Sequence, residues 1–254
     1  MHEMYRYIFD GLDLENKLIL DAAIGIGEST LEWAKKINAA GGTSRIIGID
    51  SDLDRDAIAS YLGEWMRHVE LRSADIFRLE PFKDGTFDII NCNDTIVFLS
   101  VDSRGLVSAM KEFRRVLKRG GLLVITSEIP VDDPSKPDNI GQWKRWNFAK
   151  AVYALNGKVW SREPAPEEVE AQLFAAGLTV AGTRRFPSAM SRHCLGTIEE
   201  WRGVMDREIG SAPWSPELIA ALRNEADAIY RKVSTDQFLM CPELFVTKAT
   251  KGGH

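Results

Sequence analysis

Five short apolar runs with little polar alternation constrain this chain more than any other feature. Residues 18–22 (LILDA), 45–50 (RIIGID), 69–75 (VELRSAD), 87–93 (FDIINCN) and 121–129 (GLLVITSEI) are rich in Ile, Leu and Val. Most lack a polar face, so they read as strands covered on both sides, the condition of a parallel sheet between helices. The segments between them carry helical spacing instead. Ile58, Leu62 and Trp65 recur on one face, and Leu106, Met110, Phe113 and Leu117 recur on another before Gly120 and Gly121. Alternating strand and helix predicts an α/β fold with right-handed crossovers. A chain of 254 residues that is 44% hydrophobic can bury one substantial core, so a single elaborated domain over 1–254 is expected.

Beyond residue 160 the pattern changes. Pro166-Glu167-Glu168 opens a helix that Gly177 closes, and LTVAGTRRF and PELFVTKAT read as two more strands. About fifty residues separate those strands, far more than a hairpin needs. Two insertions are therefore expected, 131–163 and 188–240, acting as a helical lid over the substrate. The first carries Trp143, Trp146, Phe148, Tyr153 and Trp160. In the second, Thr197 and Glu200 make a capping-box pattern before Trp201 and Met205, and Ser215-Pro216 opens a helix with Leu218, Leu222, Ile229 and Val233 on one side. The same aromatic residues also suit plain packing of the insertions onto the sheet.

Charge and cysteine usage narrow the function classes. The formal net charge is −5 with basic and acidic residues interleaved, so the electrostatic footprint of a nucleic-acid binder is missing. Cys92, Cys194 and Cys241 are scattered without CxxC spacing, which favours a reducing compartment, and the cytoplasm is the expected location. No run approaches the roughly 18 apolar residues of a membrane span, and residues 1–12 do not read as a signal peptide. No membrane partner and no metal site are expected, and the chain is read as a monomer or homodimer.

The first strand runs into Gly25-Ile26-Gly27 and then into a helix near Ser29. Such a turn offers free backbone N–H groups and a helix N-terminus to a polar or anionic ligand. Ala23 stands where related turns place another glycine, so the backbone there is expected to keep a negative φ. Asp50 ends the second strand, where its carboxylate can accept from ribose hydroxyls or, alternatively, cap the helix beginning at Leu53. Asp75 closes the third, within reach of an adenine amino group with the Ile76 N–H beside it, or else sits as a solvated turn residue. Thr30 occupies the third position of GxGxxG, which disfavours a nicotinamide dehydrogenase.

The phrases LDAAIGIGEST, IIGIDSD, SADIF, PFKDGTFDIINCND and EFRRVLKRGGLLVITSEIP together resemble a class I S-adenosylmethionine-dependent methyltransferase, firmly over residues 15–130. The resemblance implies a doubly wound, Rossmann-like seven-stranded sheet, mostly parallel with an antiparallel last strand. It implies S-adenosyl-L-methionine as cofactor and S-adenosyl-L-homocysteine as product. Gly25 and Gly27 would face the methionine part, Asp50 the ribose and Asp75 the adenine, with Asn93 and Asp94 on the substrate side. Asp21, Ala23, Ser51 and Ile76 complete the implied cofactor set.

Catalysis leaves fewer traces, because transfer from a sulfonium requires alignment and exclusion of water before it requires acid or base. Glu128, at the end of the fifth strand, and His193, in the second insertion, are the candidate bases, each with an ordinary structural alternative. The expected acceptor is a small organic molecule in an enclosed pocket. A protein methyltransferase with an open groove and a non-catalytic cofactor-binding protein remain the rival readings.

Overall fold

The apolar runs of the N-terminal half lie side by side as parallel strands. The computed structural model describes residues 2–129, 140–187, 189–192, 195–236, 238–241 and 243–252. Their elements, in chain order, are α1 (His2–Phe9), β1 (Leu18–Ala22), α2 (Glu28–Ala39), β2 (Arg45–Asp50), α3 (Arg55–Leu62), β3 (Val69–Ser73), β4 (Phe87–Asn93), α4 (Ile96–Leu99), α5 (Leu106–Val116), β5 (Leu117–Glu128), α6 (Ile140–Leu155), α7 (Pro166–Ala175), β6 (Thr179–Phe186), β7 (Ala189–Arg192), α8 (Leu195–Gly210), α9 (Pro216–Asp236), β8 (Phe238–Cys241) and β9 (Leu244–Thr250).

Two units divide these elements. The first holds 1–128, 163–186 and 245–254 and is built on a seven-stranded sheet of order β3-β2-β1-β4-β5-β9-β6. Register is parallel across its centre, where Leu20 pairs with both Ile47 and Ile90, and Ile90 with Leu123. All four side chains are buried, which is the burial on both faces that their sequences imply. The last strand runs antiparallel. Gly120 N–H donates to the Lys251 carbonyl at 2.8 Å, and Lys251 N–H returns a bond to Gly121 at 3.3 Å. The chain leaves β1 toward β2 and β3 and comes back to β4, so the switch in strand order falls at the carboxyl ends of β1 and β4.

The phrase RRVLKRGG has a mechanical explanation. Helix α5 stops at Val116 and Leu117 already belongs to β5, one residue earlier than its helical spacing predicts. Between Phe87↔Leu117 and Ile89↔Leu122 the register shifts, and Gly120 takes a φ of 72° there. Arg115 then staples the loop after β3: its guanidinium donates to the carbonyls of Leu79 and Phe82, both at 2.9 Å, and to Glu112 at 2.8 Å. Glu112 in turn accepts from Leu79 N–H at 2.8 Å.

The second unit, 129–162 with 187–244, has a core of its own. Ala149 and Val152 of α6 pack with Ile198, Trp201, Met205 and Ile209 of α8 and with Ala226, Ile229 and Val233 of α9. Ser215 caps α9 through Leu218 N–H at 3.3 Å, as its sequence predicts. The capping-box reading of Thr197 does not hold, since α8 is already helical at Leu195. A two-stranded antiparallel ribbon, β7 with β8, was not evident in the sequence.

Candidate functional site

The glycine turn is held from below by a buried carboxylate. Asp21, 1% exposed, accepts from Ser29 Oγ at 3.3 Å, from Asn91 Nδ2 at 2.8 Å and from the Thr30 hydroxyl. It thereby ties β1 to the first turn of α2 and to β4. Burial pushes its pKa up, and the three donors oppose that. Asp21 is thus a brace under the turn and is absent from the lining of the cleft above it.

Above this brace the chain makes three residues of left-handed backbone in close succession: Ala23 at φ 60°, Gly25 at 53° and Gly27 at 96°. The expected negative φ at Ala23 is therefore corrected. The tight exit from β1 demands a left-handed residue there, fixed by Ile24 N–H on the Ile49 carbonyl at 2.9 Å, and alanine adopts it against its preference. Gly27 is the residue before α2 and sits against Leu62, where a Cβ would come within 3.1 Å. Gly25 has nothing within 4 Å of the place a side chain would take.

Asp50 reaches that open position: its Oδ2 accepts from Gly25 N–H at 3.2 Å and its Oδ1 from Asp52 N–H at 3.3 Å. It does not cap the next helix; Asp54 does, accepting from Ala57 N–H at 3.0 Å. Strand β3 ends at Ser73, and Asp75 follows in a turn where its Oδ1 accepts from Phe77 N–H at 3.0 Å. Its Oδ2 is held by Arg104 Nη1 at 2.5 Å. Arg104 also forks onto Asp102 at 2.9 Å and lies 3.8 Å over the centroid of Phe77. Hydrogen bonds from Arg104 hold the Asp102 carboxyl down at about 2.

On the third side, β4 ends at Asn93 and Asp94 turns the chain with a φ of 49°, its N–H on the Thr126 carbonyl at 2.9 Å. Asn93 Nδ2 donates to Asp94 Oδ2 at 3.3 Å. Although the residue as a whole is exposed, desolvation of its carboxyl raises Asp94 to about 7. The negative charge of Glu28 adds to the rise and the bond from Asn93 opposes it.

Ala23, Gly25, Asp50, Ser51, Asp75, Ile76, Asn93 and Asp94 all line one cleft of about 480 Å³. Phe77, Phe98, Asp102 and Arg104 line it as well and were not evident in the sequence. Nothing local in the sequence marks Arg104. Of the remaining expected residues, Asp21 and Gly27 support the turn from behind, and Glu128 ends β5 half-buried, outside this lining. His193 lies outside the described residues. No group of metal-ligating side chains occurs among the described residues.

A family model described as a methyltransferase domain matches residues 20–125. The demethylmenaquinone methyltransferase of Staphylococcus aureus is 26% identical over 195 residues, covering 71% of this chain and 76% of that protein. Among solved structures, the cyclase SpnF superimposes with a TM-score of 0.60 at 21% identity, over 99% of this chain and 81% of its own. A sarcosine dimethylglycine methyltransferase from Galdieria sulphuraria gives 0.55 at 15% identity, over 98% and 83%. These matches mark residues 20–125 as similar to a methyltransferase domain, and the strand order with a glycine turn at its switch point is the Rossmann-like fold of the solved structures.

Proposed function

We propose that the cleft at the carboxyl ends of β1, β2 and β4 holds S-adenosyl-L-methionine and that the methyl group passes to a small organic acceptor. The observation that carries this reading is the meeting of Asp50 with the Gly25 N–H, a carboxylate poised beside an open glycine. Bound S-adenosyl-L-methionine supplies a methyl group already carried on a sulfonium, so an aligned acceptor and a dry site are the main requirements.

The residues present suit that cofactor. Asp50 offers its carboxylate to the ribose hydroxyls, Ser51 flanks it, and Ile76 with Asp75 forms the adenine wall. Gly25 and Ala23 leave room for the methionine part, and Asp94 sets a negative charge on the side of Asn93 that favours a cation. Glu128 acts as base only where the acceptor must first lose a proton.

A small acceptor agrees with the S. aureus relative, named for methylation of demethylmenaquinone. It also agrees with a second unit that has its own aromatic cluster, which we read as the part that recognises the acceptor. No helix among the described residues is long and apolar enough to cross a membrane.

Titration calorimetry of Asp50→Ala tests the reading. Loss of charge-assisted bonds worth roughly 1.5–3 kcal/mol each predicts cofactor affinity at least tenfold weaker. Unchanged affinity in a folded variant would remove Asp50 from the site, and absence of binding by the wild type would end the proposal.

A further inference from the structure

Arg104 lines the cleft at the carboxyl ends of β1, β2 and β4 with its charge already balanced. Its Nε and Nη2 donate to the two oxygens of Asp102, both at 2.9 Å, and its Nη1 donates to Asp75. Two carboxylates thus face one cation, and a phosphate or carboxylate arriving there would meet net negative charge. The arrangement does not suit an anion clamp.

What it leaves open is a flat surface. The carboxylates take the edges of the guanidinium and the Phe77 ring covers one face at 3.8 Å, while 47% of the side chain stays exposed. The opposite face is the part left toward the cleft. The backbone beneath it is fixed as well: Arg104 N–H donates to Asp102 Oδ1 at 2.9 Å, Gly105 N–H to the Asp102 carbonyl at 2.9 Å, and Ser108 Oγ to the Arg104 carbonyl at 2.7 Å. A group held this way loses little freedom when a ligand settles on it. Phe98, 48% exposed, and Leu99 add apolar area to the same lining. A guanidinium is planar, delocalised and weakly hydrated, so it stacks on flat rings, heteroaromatic bases among them.

We propose that Arg104 is a base-binding residue: the open face of its guanidinium stacks on the adenine of S-adenosyl-L-methionine, with Phe77 as the backing. The proposal rests on the reading of this cleft as the cofactor site. It divides the work along one wall, Arg104 taking the face of the base and Asp75 with the Ile76 N–H taking its edge.

Titration calorimetry with S-adenosyl-L-homocysteine and S-inosyl-L-homocysteine tests this without any acceptor. The second ligand keeps the purine ring and carries a carbonyl in place of the 6-amino group, so an edge contact tells the two apart and a face contact does not. Arg104→Lys, which keeps the charge and loses the plane, and Arg104→Ala should each weaken both ligands by the same factor, roughly threefold to tenfold, with the ratio between the ligands unchanged. A loss confined to the adenine ligand would make Arg104 a support for Asp75 and overturn the proposal, as would wild-type affinities in Arg104→Lys. The two failures are distinguishable: wild-type protein that binds neither ligand ends the reading of the cleft as the cofactor site, whereas wild-type binding that both substitutions leave untouched sinks the stacking alone.

Discussion

Arg104 holds Asp75 by a 2.5 Å contact across 29 residues of sequence and roofs the Phe77 ring at 3.8 Å, so three residues of the cleft wall form one assembly. Both partners are more than one-third exposed, which makes the pair worth less than about 1 kcal/mol to stability. Its effect belongs to the shape of the cleft. Arg104→Ala should leave the urea midpoint nearly unchanged and weaken cofactor binding roughly threefold to tenfold, the size of one misplaced hydrogen bond. Calorimetry beside urea unfolding checks both halves, and the opposite pattern would make Arg104 a purely structural residue.

Ala23 pays for its position in backbone strain. A left-handed conformation costs an L-residue about 1–2 kcal/mol, against the 0.5–1 kcal/mol that glycine loses in entropy. Ala23→Gly should therefore stabilise the protein by about 0.5–1 kcal/mol and keep its cofactor affinity. Thermal and urea unfolding measure the gain; a net loss would contradict the positive φ.

Removing the brace should have the larger consequence. In Asp21→Ala, the hydroxyls of Ser29 and Thr30 and the amide of Asn91 lose a common acceptor inside the core. Unpaired buried groups cost about 1–3 kcal/mol each, so a loss of about 3 kcal/mol or more is expected. Urea unfolding checks the loss, and hydrogen exchange across 22–30 should rise with it.

Asp94 predicts opposite pH dependences for stability and for binding. Its folded pKa, about 7, lies above the ordinary carboxylate value. The stability it contributes is therefore present below the unfolded pKa and is lost as pH rises through about 7. A cationic ligand prefers the ionised form, so S-adenosyl-L-methionine should bind up to about tenfold more tightly at pH 8 than at pH 6, the limit for one carboxyl titrating near 7. S-adenosyl-L-homocysteine, without the sulfonium charge, should gain less. Calorimetry of both ligands across that range, repeated on Asp94→Asn, isolates the contribution; equal pH dependence in the variant would assign it elsewhere.

The sheet was legible because buried parallel strands leave a continuous apolar signature, and Asp50 because an acid ends such a run beside a glycine turn. Asp75 was found for the same reason, although its strand stops two residues sooner at Ser73. Arg104 and Asp102 lie in a loop after α4, and only the folded chain brings that loop to Asp75. Ribbon β7–β8 has four residues per strand, AMSR and FLMC, too few to display alternation. Leu117 continues the spacing of α5, yet hydrogen bonding to β4 takes it into the sheet, tertiary pairing overriding local periodicity. The sign of φ at Ala23 is likewise set by the path from β1 to α2, which residue identity does not encode.

The position of β9 between β5 and β6 gives biosynthesis a fixed order. Strands β1 to β5 are neighbours in an unbroken block and are all synthesised by residue 128, so the cleft at their carboxyl ends can assemble while the remainder is still on the ribosome. Strand β6 has no edge to dock on until the segment beginning at Leu244 emerges, more than fifty residues later. During that interval β5 presents an unpaired edge, the kind of template that recruits stray strands. A nascent chain that binds its cofactor early would stabilise that cleft by mass action during its most vulnerable stage.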